Sequence, residues 1–127
     1  MTLPLRLDFP GLLPNGLNRI MRQHWRDRGR ERDAILIEVR CVLSQVTDPP
    51  SFPLPAPVRV VYTRRACKPL DPDNASSSVK HLLDAAVRCG ILEDDSPEFI
   101  GELVSRQVRV PHKNEQGCTL AFEPMTP

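Results

Sequence analysis

Residues 71–95 read Asp-Pro-Asp-Asn-Ala-Ser-Ser-Ser-Val-Lys-His-Leu-Leu-Asp-Ala-Ala-Val-Arg-Cys-Gly-Ile-Leu-Glu-Asp-Asp. Their reading decides the fold. Asp71-Pro72 opens a helix, because an aspartate at the cap and a proline at the first helical position both suit a helix start. Val79, Leu82, Leu83, Ala86 and Val87 then recur at helical spacing and form one apolar stripe. Gly90 is a natural C-terminal cap, so the helix spans about 72–89. At ~100° per residue, Asp73, Ser77, Lys80 and Asp84 cluster within roughly a quarter of the circumference, almost opposite that stripe. The helix therefore has a core face and a face bearing two carboxylates, a hydroxyl and an ammonium group.

Outward from this helix, Val58 to Arg65 is rich in β-branched residues and reads as a strand that delivers Arg64, Arg65 and Lys68 beside Asp71. Upstream of it lie five prolines, 49, 50, 53, 55 and 57, a stiff surface connector. An earlier helix starts at Asp33, carries Ile35, Val39, Val42, Leu43 and Val46 on one stripe, and stops at Asp48-Pro49-Pro50. Before it, residues 17–32 are polar, with Trp25 inside a run of arginines and Gly29 weakening any helix there. Leu3 to Phe9 alternates as a half-buried strand. Beyond the central helix, Phe99 to Val110 and Cys118 to Glu123 read as strands, with Cys118, Leu120 and Phe122 on one face. The turn chemistry of Lys113 to Gly117 predicts that these two form a hairpin. The expected fold is α/β (α+β): one domain over 1–127, a small mixed sheet of about four strands and two main helices, in the order β-α-β-α-β-β.

The bulk composition fits a single globular domain of 127 residues. No apolar run is long enough to span a bilayer, and the start does not resemble a signal peptide, so the expected compartment is the cytoplasm. Cys41, Cys67, Cys89 and Cys118 form no Cys-x-x-Cys pair, which argues against zinc and a disulfide framework. A net charge of +1 conceals segregation: arginines 19, 22, 26, 28, 30 and 32 crowd one segment, whereas acids concentrate between Asp71 and Glu102. Separated signs suit a protein that holds a polyanion and also a cation.

The acids have two readings. Capping explains one aspartate of the Asp71/Asp73 pair, and Glu93-Asp94-Asp95 alone reads as a solvated turn. If Asp95 folds against Asp71 and Asp73, however, like charges ~4 Å apart repel by about 4 kcal/mol at an effective dielectric of ~20. A proton or a bound cation must then offset them. Hard oxygen ligands favour Mg²⁺, with Mn²⁺ as the other candidate.

Asp71-Pro72-Asp73-Asn74, Lys80-His81-Leu82-Leu83-Asp84-Ala85 and Gly90-Ile91-Leu92-Glu93-Asp94-Asp95 together resemble the RusA-type Holliday junction resolvases (crossover junction endodeoxyribonucleases). That family shares an Asp-x-Asp-Asn pattern, a helical lysine with an aspartate four residues on, and an Asp-Asp pair after a glycine. The resemblance covers most of the chain in element order, though its specific motifs occupy only about 71–95. It implies a homodimeric, Mg²⁺-dependent endonuclease that nicks four-way DNA junctions symmetrically in recombination and repair. On that resemblance Asp71, Asp73 and Asp95 hold the metal and Lys80 assists catalysis. One departure stands: the family lysine follows the second aspartate by four residues, and Lys80 follows Asp73 by seven, with Ser76-Ser77-Ser78 between.

Arg64, Arg65 and Lys68 are the expected phosphate contacts beside such a site, and Arg22 and Arg26 would embrace a duplex arm. Two other readings remain open from the residues alone. One is a metal nuclease acting on other branched nucleic acids; the other is a non-catalytic branched-DNA-binding protein whose acids only cap and solvate.

Overall fold

A computed structural model of the chain describes residues 4–14 and 25–125, with the side chains of residues 25–28 left out. The elements are β1 (Leu5–Pro10), α1 (Trp25–Ser44), β2 (Val58–Ala66), α2 (Pro72–Ser77), α3 (Lys80–Arg88), β3 (Ile100–Arg109), a 3-10 turn at Lys113–Glu115 and β4 (Gly117–Pro124). The order β-α-β-α-β-β is as expected, with the second helix in two pieces. The four strands form one mixed sheet in the order β1-β4-β2-β3. β4 is antiparallel to both β1 and β2, and β3 is parallel to β2.

The registers sort the strand residues onto two faces. Leu5, Leu7, Phe9, Cys118, Leu120, Phe122, Val58, Val60 and Tyr62 share one face and are all buried. Helix α1 covers it through Ile35 and Val39, with Val42 and Leu43 packed at the rim, and α3 covers it through Leu82, Leu83 and Ala86. Helix α1 ends at Ser44, short of the expected stop at Asp48-Pro49-Pro50, so Val46 packs at the rim from beyond the helix. The apolar stripes read from both helices are therefore the core faces. Arg6, Asp8, Arg59, Arg65, Glu102, Arg106 and Glu123 lie on the opposite face, which is exposed or half-exposed apart from buried Thr119. The proline-rich connector is anchored rather than merely superficial: Leu54 is buried, and its N–H donates to the Ile91 carbonyl at 2.8 Å.

Two expectations need correcting. β3 and β4 do not form a hairpin; β2 lies between them. Burial explains the choice. Residues 117–120 of β4 are all buried, which suits an interior position, whereas β3 is mostly exposed and charged and takes the edge. The connection after β3 instead crosses the end of β2, where Cys67 N–H donates to Gln116 Oε1. Helix α1 also begins at Trp25 rather than Asp33 and absorbs Gly29. An internal glycine costs about 1 kcal/mol, and the strong helix formers around it (Arg28, Arg30, Glu31, Arg32) outweigh that. Among the described residues no helix is long and apolar enough to cross a membrane.

Candidate functional site

β2 ends at Ala66, and the chain then turns through residues 67–70 to Asp71. The Gln107 side-chain amide fixes this turn, because its Oε1 accepts from Leu70 N–H and its Nε2 donates to the Leu70 carbonyl, both at 2.8 Å. Asp71 has the extended backbone of a helix cap (φ −60°, ψ 154°) and Pro72 follows at the first helical position. Its carboxylate nevertheless caps nothing. Asp71 Oδ2 accepts from the Asn74 side-chain amide at 3.0 Å, and Asp71 is otherwise exposed. Asp73, in the first turn, is also exposed, and neither carboxylate forms an ion pair among the described residues. The capping explanation expected for Asp71 thus fails on geometry: its carboxylate holds only the Asn74 side chain, and Asp73 has no ion pair among the described residues.

The serine triplet makes the break between α2 and α3. Ser77 Oγ donates to Asn74 O at 3.1 Å, and Ser78 Oγ donates to Ala75 O at 2.7 Å. Such bonds to the preceding turn tighten and bend a helix. Ser78 is buried, and because its single proton is committed to Ala75, the Tyr62 hydroxyl donates to Ser78 Oγ at 2.7 Å. Burial pushes the Tyr62 phenol up to about 12. This contact from the middle of β2 pins the bend, and sequence periodicity carried no sign of it. Lys80 then starts α3, exposed, with Asp84 one turn further along the same helix; because the helix breaks at Ser78, the single face expected for Asp73, Ser77, Lys80 and Asp84 is not continuous.

Helix α3 ends as its glycine predicts. Gly90 has φ +82°, its N–H donates to Val87 O, and Ile91 N–H donates to Ala86 O, both at 3.0 Å. This paired closure buries Ile91 and aims the following residues along the base of the helix. There Asp94 and Asp95 meet Asp84, Val87 and Arg88 of α3 and Arg32 of α1 around an open cleft of about 360 Å³. Arg32 was read only as part of the arginine run, and Arg88 was not singled out, although it follows Asp84 at the four-residue spacing that sets side chains together on a helix.

Asp71 and Asp73 do not line this cleft. The reason is topological. Leu70 is tied to Gln107, near the end of β3, whereas Phe99 O accepts from Val58 N–H and Ser96 O from Ile100 N–H at its start. Ile100 and Gln107 are seven residues apart, or about 23 Å at a strand rise of ~3.3 Å per residue. Among the described residues no three His, Cys, Asp or Glu side chains are grouped so as to hold a metal ion. The expected convergence of Asp95 on Asp71 and Asp73 is therefore not found: the parallel crossover sends the two ends of the helical segment to opposite ends of β3. In this structure Asp95 is not grouped with Asp71 and Asp73, and the hard oxygen donors at the start of α2 are those of Asp71 and Asp73.

The basic residues also divide. Arg65 lies on the open sheet face, where its Nη1 donates to Thr119 Oγ1 at 2.8 Å and Thr119 Oγ1 donates to Asp8 Oδ1 at 2.7 Å. Partial burial raises Asp8, but the Thr119 and Arg6 hydrogen bonds and the Arg6 and Arg65 charges outweigh it and hold the carboxyl below its usual value. Lys68 is exposed in the turn before Asp71. Arg64 is the correction. It points to the covered face, is 7% exposed, and its Nε and Nη1 are enclosed with no hydrogen-bond partner among the described residues. Strand alternation separates it from Arg65, so the guanidinium is not presented to solvent, whereas Lys68 is exposed. Burial pushes the neighbouring Cys118 thiol up to about 12, against the pull of the Arg65 and Arg64 charges. Arg22 lies outside the described residues, and Arg26 falls within α1 with its side chain outside them. In comparison with known proteins, no protein-family model matches the chain and no curated protein matches it.

Proposed function

We propose that this chain is a metal-dependent endodeoxyribonuclease acting on branched DNA, in the manner of a RusA-type Holliday junction resolvase. The observation that carries the reading is that Asp71 and Asp73 stand exposed at the start of α2, with no cap bond and no ion pair to explain them. Support also comes from the β-α-β-α-β-β order and from Lys80, exposed at the start of α3. Lys68, exposed in the turn before Asp71, suits a phosphate contact, and Arg65 supplies a second cation on the open sheet face. The substrate is a four-way junction, the cofactor Mg²⁺ or Mn²⁺, the working form a homodimer and the compartment the cytoplasm. Asp71 and Asp73 are the proposed metal ligands, and Lys80 stands ready to balance negative charge on a phosphate.

A second reading has one observation in its favour. Because Asp95 belongs to a different cleft, the acids could serve a non-catalytic branched-DNA-binding protein. Incubation of a labelled four-way junction with and without Mg²⁺ separates the two. Metal-dependent symmetric nicking that is lost in Asp73→Asn, with junction binding retained, supports the nuclease. Binding without cleavage at any Mg²⁺ or Mn²⁺ concentration supports the second reading, and flap or fork substrates in the same panel test for other branched DNA.

A further inference from the structure

The sheet has two edges, and they are built differently. β1 is six residues long, ends in Pro10 and follows Pro4. β3 is ten residues long, contains no proline, and carries two exposed large apolar side chains, Leu103 at 42% and Val108 at 45%. A long edge without proline offers a row of backbone groups to another strand. We propose that β3 pairs antiparallel with β3 of a second copy of this chain, about a two-fold axis through Val104, so that two four-stranded sheets become one of eight.

The register follows from charge. A two-fold axis on a self-paired strand must pass through a residue, since only then do outward-pointing backbone groups face each other. An axis through Glu102 or Arg106 sets a like charge against itself. Axes through Leu103 or Ser105 set Glu102 or Arg106 opposite Val104. The axis through Val104 alone sets Glu102 opposite Arg106 of the second copy, and Arg106 opposite its Glu102, with Val104 against Val104 between them. All three residues share the open face, since they pair with Arg59, Val61 and Thr63 of β2. Glu102 already meets Arg59 through Oε2 at 2.8 Å, which leaves Oε1 for the second copy. Arg106 is exposed and has no ion pair among the described residues. On the other face Leu103 packs beside Ser105 of the second copy. The register shift at Val58/Arg59, which leaves Gly101 without a partner in β2, ends the regular run, so the paired stretch is residues 102–106 in each copy.

This pairing stands on the edge strand and needs no nuclease activity, so sedimentation of the full chain tests it without DNA. Wild type dimerises with concentration. Arg106→Glu and Glu102→Arg each oppose like charges across the axis and weaken the dimer at least about tenfold, with circular dichroism unchanged. An equimolar mixture of the two variants restores complementary pairs and dimerises as wild type does. A wild type that stays monomeric throughout the series overturns the proposal, as do variants that dimerise undiminished or a mixture that stays monomeric. Amide exchange of wild type gives a second readout: protection of residues 102–106 rises with protein concentration, and protection independent of concentration overturns the proposal.

Discussion

The two ends of the helical segment carry similar residues and behave differently. At one end Asp71 and Asp73 stand exposed beside a turn that Gln107 clamps, with no cation paired to either. At the other end Asp84, Asp94 and Asp95 share a cleft with Arg32 and Arg88. Among the described residues neither set of acids forms an ion pair, but one end presents its carboxylates at a helix start, whereas the other gathers two arginines around the same cleft, with Arg32 itself paired to Asp33. Nearness in sequence does not predict which acids meet, because a parallel strand-helix-strand crossover carries the chain the full length of a strand and back.

The largest expected effect tests this contrast directly. Asp73→Asn should reduce junction nicking by about a hundredfold or more, the scale of losing an essential electrostatic group, about 3 kcal/mol of barrier. Asp95→Asn should leave nicking within a few-fold of wild type, since Asp95 lies at the other end. Single-turnover cleavage of a labelled junction measures both. Equal losses would break the comparison and restore the three-carboxylate set, and the loop at residues 91–99 would then have to move onto the Asp71 end when DNA binds.

The bend between the two ends supplies the next test. Tyr62 is neutral in the fold up to about 12, whereas an unfolded tyrosine ionises near its model value of 10.0. The folded state therefore holds a proton that the unfolded state has lost. Stability is unaffected by this group below pH 10 and falls as pH rises from 10 towards 12, by about 3 kcal/mol. Tyr62→Phe should cost about 1 kcal/mol at neutral pH for the lost Ser78 bond and should flatten that alkaline decline. Urea melts at pH 7 and across the alkaline range check both. An unchanged slope in the variant would mean that Tyr62 does not hold the bend.

How far the sequence disclosed all this depended on the range of the interaction. The apolar stripes of α1 and α3, the cap at Gly90 and the alternation of β1 and β4 were legible because each is set by neighbours within a turn or two. Strand order was not: the chemistry of residues 113–117 spoke for a hairpin, and the burial of β4 decided for the sheet centre instead. The acidic site was half legible. Asp71 and Asp73 both fall at the start of α2 because only Pro72 lies between them, whereas the place of Asp95 depends on the crossover, which no local pattern encodes. Arg64 and Arg65 look alike as a dipeptide, yet period-two alternation buries one and exposes the other.

That last pair gives a smaller, two-sided test. Lys68→Ala should weaken junction binding uniformly and reduce the log–log salt slope by about one unit, because one phosphate contact is lost. Arg64→Ala should leave the slope as it is and change thermal stability instead, since its guanidinium is enclosed. Titrations at several salt concentrations, set beside melting curves, separate the roles, and a slope change in Arg64→Ala would return that residue to the DNA surface.

The smallest effect concerns the turn that directs the second acidic end. Gly90 sits at φ +82°, and a side chain added there would meet nothing within 4 Å. Steric clash is therefore absent, and Gly90→Ala costs only the left-handed backbone penalty, about 1 kcal/mol. Gly117 marks the contrast: a Cβ there would stand 2.7 Å from the Phe9 carbonyl oxygen, so Gly117→Ala forces the β1–β4 pair apart and costs more. Denaturant melts of the two variants should rank in that order. A Gly90→Ala loss as large as that of Gly117→Ala would mean that the closure of α3 constrains the loop at residues 91–99 beyond the single turn, tying the Asp84/Asp94/Asp95 cleft more rigidly to the core than its open geometry indicates.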